Sequence, residues 1–291
     1  MYTLKTAPYL KTLRLRIFIL LHKISSQTSL SQHLKIIPLP PLFMCRMLIA
    51  IGNNIPIPLL LQNLNAMAQD KTIKHELNKT QSWQHSDGWG ISYLKKNKWI
   101  TKKSTKPIFK DQTLSKYFHL KTNILLAHVR KTSGTPITHE NTHPFHLKTP
   151  RHNLVFAHNG SINDNIEFSQ SLFKPKGQTD TEQLLYAILS EEHHIKNITQ
   201  TIQDQIHKLQ NYSGTNIIFS TKNKTIIALA KNKYPHYFQM TLHKTKDYIV
   251  ISSEPLKHLT NRSTSIIIQP LATQTMLIID NNTQKINVLQ L

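Results

Sequence analysis

The sequence predicts an α+β domain in which sheets are packed with helical layers, and three observations predict it. Short apolar runs bounded by turn residues recur as far as residue 157, two stretches with helical spacing of apolar residues follow between 179 and 209, and short β-rich runs then continue toward the C-terminus. Strands, then paired helices, then strands again suit sheets covered by helices.

Taken in order, residues 45–51 form an apolar run ending at Gly52, which reads as a buried strand. Beyond Pro56 and Pro58, residues 59–68 read as a helix and the polar residues 71–84 as a loop. In residues 85–94, HSDGWGISYL, two glycines flank Trp89 at the head of a strand, where a missing Cβ lets a backbone turn tightly or approach another closely. The chain has only seven glycines, so those present are expected where they are needed. Trp99 marks a short partner strand, residues 111–119 read as helical, and residues 123–129 as an apolar strand that delivers His128 and Arg130 to its end. Residues 131–146 are polar and broken by Gly134, Pro136 and Pro144, a loop of the kind that carries chemistry.

Residues 154–157 read as another buried strand, leading into His158-Asn159-Gly160, where the Asn-Gly pair marks a tight turn. Thr179 and Glu182 have the spacing of a capping box ahead of Leu184, Leu185, Ala187 and Ile188, so a helix starts there. Ile195, Ile198, Ile202, Ile206 and Leu209 mark a second, amphipathic helix. Residues 216–220, 226–230, 248–252, 265–269 and 276–279 are β-rich. No repeat, linker or low-complexity tract interrupts residues 44–291, and one domain is the economical reading.

The net charge of +21 raises the question of nucleic acid, but the lysines are scattered, arginines are few, and Lys, Asn, Ile and Thr are all abundant. That pattern is a compositional bias rather than a phosphate-binding patch, and no nucleic acid is expected as principal ligand. Six basic and no acidic residues lie in residues 1–43; the remaining 30 basic and 15 acidic residues leave +15. This extension suits a transit peptide, a propeptide or a wrongly assigned start codon with Met44 as the true initiator. Its apolar run, residues 17–21, is too short to span a membrane, and no membrane association is expected. A single cysteine excludes an internal disulfide and suits a reducing cytoplasm.

That cysteine, Cys45, follows Met44. If translation starts at Met44 or cleavage falls after it, thiol and α-amine share one residue, and the amine, with a reference pKa of about 7.7–8.0, can take the thiol's proton. Taken alone, a cysteine beside an apolar run is a small buried hydrophobe. Attack on a carboxamide needs donors for the developing oxyanion, and Asn159 beside Gly160 offers two, although the pair is equally a structural turn. An amino-acid substrate adds a carboxylate and an ammonium: the planar fork of Arg130 suits the first and Asp180 the second. Their plainer alternatives are a surface ion pair and an acid favoured at a helix start. His143 and His158 lack the spacing of metal ligands, and no metal or other cofactor is expected.

Seven blocks, in order over about 210 residues, resemble the class II glutamine amidotransferases among the N-terminal nucleophile hydrolases. They are MCRML at 44–48, HSDGWGISYL at 85–94, AHVRKTSG at 127–134, ENTHPF at 140–145, FAHNGSI at 156–162, GQTDTEQLL at 177–185 and ISSEPL at 251–256. The resemblance implies a four-layer αββα sandwich in which Cys45 opens a central strand. It implies Cys45 as nucleophile with its own amine as base, Asn159 and Gly160 as oxyanion hole, Arg130 on the α-carboxylate, Asp180 on the α-ammonium, and His143 lining the glutamine pocket. Ser252, Ser253 and Glu254 look like a structural block near the active site with no catalytic step. The MCR-LL start and the Asp-Gly-Trp-Gly block resemble the stand-alone branch, whose members include hydrolases of γ-glutamyl compounds in ergothioneine assembly and glutathione breakdown. A glutamine or γ-glutamyl substrate is therefore implied, with a separate ammonia-using or peptidase subunit as a conceivable partner. Met47 where an aliphatic is usual, and Ser86 and Ser92 where Gly is common, are mild departures. An uncleaved extension is a serious one, because it turns the proposed base into an amide. An unprocessed chain would instead suit an inactive, ligand-binding module.

Overall fold

The computed structural model describes residues 44–79, 82–132, 134–259 and 266–291, all within one compact unit. The expectation of a separate extension at residues 1–43 lies outside the described residues. Among the described residues, thirteen strands form two antiparallel sheets. The first sheet takes β1 (Arg46–Gly52), β2 (Trp89–Lys95), β3 (Lys98–Ser104), β4 (Ile124–Val129), β9 (Thr241–Lys244), β10 (Tyr248–Ser252) and β11 (Ile267–Pro270), in the spatial order β11-β9-β10-β1-β4-β2-β3. The second takes β5 (Phe145–Lys148), β6 (Asn153–Ile162), β7 (Tyr212–Thr221), β8 (Lys224–Leu229), β12 (Thr275–Asp280) and β13 (Ile286–Gln290), in the order β13-β12-β8-β7-β6-β5. The main helices are α1 (Ile57–Ala68), α2 (Asp180–Ile195) and α3 (Ile198–Lys208), with a single turn, α4, at Pro235–Phe238.

The alternation of side chains along β1 builds the layers. Successive residues of a strand face opposite sides. Leu48 and Ala50 therefore pack with Leu60, Leu61 and Leu64 of α1, while Met47, Ile49 and Ile51 face Val155 and Ala157 of β6 and Ile218 of β7. On the far side of the second sheet, Phe156, Ile217 and Phe219 meet Leu184, Leu185 and Ile188 of α2 and Ile202 and Ile206 of α3. The order of layers is thus α1, first sheet, second sheet, α2 and α3. Because both faces of β1 are covered, its apolar run is continuous rather than alternating.

The structure departs from the sequence expectations at three kinds of place. Residues 111–119 are not an α-helix: 3₁₀ turns at Ile108–Lys110 and Gln112–Tyr117 flank Asp111, whose extended backbone breaks the run. Its carboxylate accepts from Thr113 N (2.9 Å) and from Trp89 Nε1 (3.0 Å), local bonds that compete with helix formation. The Asn159-Gly160 pair is not a turn, since β6 continues through it. Gly160, at φ +151°, is there for close approach: a Cβ would stand 1.7 Å from the Gly214 carbonyl oxygen of β7. Finally, β5, β9 and β13 are strands of four or five residues. Polar residues interrupt each of them, FHLK, TLHK and INVLQ, whereas β10, of similar length, reads YIVIS.

Candidate active site

Cys45 lies at the head of β1, the central strand, and is only 5% exposed. The parity that turns Met47 and Ile49 toward β6 also turns Cys45 that way, and Asn159 shares the inward face of Val155 and Ala157. The two meet: Cys45 N donates to Asn159 Oδ1 at 2.8 Å. On its other side the Cys45 carbonyl accepts from Tyr237 Oη at 3.0 Å. Burial pushes the thiol up to about 12, outweighing the Lys131 backbone contact and the Arg130 charge that favour the thiolate. At neutral pH the sulfur is therefore protonated.

Asn159 Oδ1 is committed to the Cys45 nitrogen, whereas its buried Nδ2 has no partner. A buried amide without an acceptor carries a desolvation penalty of about 1–3 kcal/mol, so a ligand oxygen placed there would be favoured. Beyond Asn159 the β6–β7 ladder shifts register between Gly160 and Ile162, and Gly160 lines the cleft.

A cleft of about 230 Å³ brings together Cys45, Arg130, His143, Gly160 and Asp180, with Gln178 and Gln183 among its other walls. That volume lies below the ~300–1,000 Å³ of pockets for drug-sized ligands and suits a small molecule. Arg130, just past the end of β4, is buried, which rules out a surface ion pair. Its guanidinium donates to neutral groups, Thr135 Oγ1 (2.5 Å) and Pro136 O (3.2 Å), and among the described residues no carboxylate pairs with it. Desolvation consequently lowers its pKa, a bias that a bound carboxylate would reverse. Asp180, the first residue of α2, accepts from Ile162 N at 2.7 Å and Thr181 N at 2.8 Å. An ionised carboxylate has about four acceptor positions, so capacity remains for an ammonium.

The helix start follows the capping expectation with one difference. Thr179 accepts from Glu182 N at 3.2 Å, but the Glu182 carboxylate turns away to accept from Lys176 N (2.9 Å) and Gly177 N (2.8 Å), holding the loop ahead of the cleft. His143 lines the cleft with Nδ1 3.0 Å from His128 Nε2, and His158 Nδ1 is 3.0 Å from Thr181 Oγ1. Burial lowers all three histidines, His128 to about 3, so they are neutral at pH 7. A Cβ on Gly90 would fall 2.4 Å from the His143 carbonyl oxygen, so the glycine of β2 is what lets the His143 loop close onto the sheet. Among the described residues no cluster of His, Cys, Asp or Glu is placed to hold a metal, and no helix is long and apolar enough to cross a membrane.

Sequence reasoning named Ser253 and Glu254 as a structural block but missed Arg46, Tyr237 and His85, which complete the support beneath Cys45. Arg46, fully buried, pairs through Nε with Glu254 Oε1 at 2.8 Å, donates from Nη1 to Tyr237 O at 2.7 Å, and lies 3.8 Å above the Tyr237 ring. Tyr237 Oη donates to Cys45, so at 2.9 Å from His85 Nε2 it must accept, which fixes His85 as the Nε2–H tautomer. Ser253 joins β1 to the same turn, with Oγ accepting from Met47 N at 2.9 Å. The available signal was Arg46 itself, a charge inside an apolar strand, with a glutamate in the ISSEPL block to match it.

Comparison with known proteins bears on this site. Residues 59–262 match the family model described as glutamine amidotransferases class-II, a stretch that includes Arg130, His143, Asn159, Gly160 and Asp180 and begins downstream of Cys45. An uncharacterized protein of Methanocaldococcus jannaschii is 31% identical over 117 residues, 39% of this chain and 32% of that protein. The Escherichia coli protein named "Putative glutamine amidotransferase YafJ" is 32% identical over 100 residues, 34% of this chain and 39% of its own length. The matched stretches thus span only a third or so of these curated relatives. Among solved structures, the glutamine phosphoribosylpyrophosphate amidotransferase of B. subtilis superposes with a TM-score of 0.62 at 20% identity, covering 84% of this chain and 49% of that one, which shows a shared fold.

Proposed function

The chain belongs to the class II glutamine amidotransferases and has their N-terminal nucleophile hydrolase fold, and from that premise we propose that it hydrolyses the γ-carboxamide of glutamine or of a γ-glutamyl compound with Cys45 as its first residue. The observation that carries this reading is the meeting of Cys45 N with Asn159 Oδ1, which leaves Asn159 Nδ2 buried and unpartnered beside a protonated thiol. Freed from Met44, the Cys45 nitrogen becomes an amine held by Asn159 in reach of its own sulfur. The amine takes the thiol proton as Sγ adds to the γ-carbonyl carbon. The resulting oxyanion is met by Asn159 Nδ2 and by Gly160. Collapse breaks the C–N bond, and the proton on the α-amine passes to the departing nitrogen, releasing ammonia or an amine. Water then adds to the γ-glutamyl thioester, the C–S bond breaks, and glutamate leaves with the thiol restored. Arg130 holds the α-carboxylate, Asp180 the α-ammonium, and His143 forms part of the cleft wall.

In this reading residues 45–291 are the working domain, residues 1–43 are removed or never translated, Met44 is cleaved off, and the enzyme works in the cytoplasm, whose reducing conditions keep Cys45 a thiol, with a separate ammonia-using or peptidase subunit as a partner compatible with the chemistry. A second reading, a binding module with its N-terminus blocked, draws on the burial of Met44. Intact mass and N-terminal sequencing distinguish the two before any assay.

Protein beginning at Cys45 is expected to release glutamate and ammonia from glutamine in equal amounts. Asn159→Ala, which removes an oxyanion donor, is expected to lower kcat by about 10²–10³-fold. Its KM should change far less. Release of glutamate from neither glutamine nor any γ-glutamyl amide by Cys45-initiated protein would refute the hydrolase assignment.

A further inference from the structure

Met44 is fully buried, its side chain packed on Tyr237 and Phe238 with Leu77, Trp83 and Tyr234 around them. Its N–H donates to the Lys131 carbonyl at 3.3 Å. The proposed chemistry requires this residue to go, and its departure would empty an aromatic-walled pocket directly against the Cys45 nitrogen. The position of that pocket is set by the reaction itself. The departing nitrogen takes its proton from the Cys45 amine, so the leaving group must lie against that amine, on the side where the Met44 peptide stood. Lys131 links the two spaces: it lines the cleft, and its Nζ sits 4.7 Å from the Trp83 ring centroid at the pocket wall. Its carbonyl, released from Met44, faces the same place as an acceptor for an amide N–H.

We infer that removal of Met44 opens a leaving-group subsite that takes an unbranched apolar or thioether chain on the departing amine. The preferred substrates are then γ-glutamyl amides of such amines rather than glutamine. The methionine side chain is itself the record of what fits: a flexible, unbranched thioether in contact with aromatic faces. While in place, it blocks the subsite as well as the amine. This inference rests on the hydrolase reading above and names the substrate class for it.

The test compares kcat/KM of Cys45-initiated protein on γ-glutamyl-n-butylamide, γ-glutamyl-tert-butylamide and glutamine. Single methylenes in an apolar pocket are worth about tenfold or more in selectivity, so the n-butylamide is expected to exceed glutamine by at least about tenfold, and the branched amide is not. Leu77→Trp, which fills the vacated volume, is expected to bring the n-butylamide to glutamine ratio to about one. Equal values on n-butylamide and glutamine in the parent would overturn the subsite while leaving the hydrolase standing. Turnover of none of the three would overturn the hydrolase, and the subsite is then read by binding alone. Saturation-transfer NMR with n-butylamine is expected to show contact with Cys45-initiated protein and none with protein retaining Met44. Transfer in neither, or equally in both, would overturn the subsite.

Discussion

Cys45→Ala is expected to lower hydrolysis by at least about 10⁴-fold, the scale on which removal of a covalent nucleophile acts. The substitution deletes one sulfur at the head of β1, where the thiol accepts only a backbone contact from Lys131, and both backbone bonds of the residue, to Asn159 and Tyr237, remain. Unfolding by urea should therefore shift little, which separates lost chemistry from lost structure. Protein that keeps Met44 is expected to be as inactive as the alanine variant for a different reason: its sulfur is present, yet burial holds the thiol protonated and the amide nitrogen cannot take the proton. Parent-level ammonia release by either protein would exclude the mechanism.

The second large effect concerns stability. Glu254→Ala is expected to destabilise the fold by about 3–5 kcal/mol, because it leaves the fully buried Arg46 guanidinium without its counter-charge. The Tyr237 ring and carbonyl that remain around Arg46 offset only part of that loss. The control is the double variant Arg46→Met with Glu254→Leu, which removes both charges and is expected to recover much of the stability. Equilibrium urea denaturation reads both. A single variant within 1 kcal/mol of the parent would mean that water reaches Arg46.

What the sequence disclosed follows from the range of the interactions involved. Period and capping are local, so β1, β2, β4, β10, α2 and α3 were visible as runs with marked ends. Arg130, His143, Asn159, Gly160 and Asp180 were singled out by residue type and motif, and the fold does bring Arg130, His143, Gly160 and Asp180 with Cys45 to one cleft, with Asn159 bonded to Cys45. Contacts across the chain were not visible. Arg46 with Glu254, and Tyr237 with Cys45, are each about two hundred positions apart; a charge inside the apolar run of β1 hints that Arg46 needs a partner, but nothing near Tyr237 points to Cys45. The Asn-Gly pair shows the converse error. Its local signature is a turn, but the need of β6 to approach β7 at Gly214 uses the same glycine for a different purpose.

The placement of β1 at the middle of its sheet, with its head at the cleft and β13 at the outer edge of the other sheet, makes the two directions of gene fusion unequal. If Cys45 acts as an N-terminal nucleophile, any polypeptide joined ahead of it must be severed before the protein is active, whereas one joined after β13 departs from a sheet margin and leaves Cys45 untouched. On that mechanism a fused module that consumes a released amine is compatible with activity only downstream.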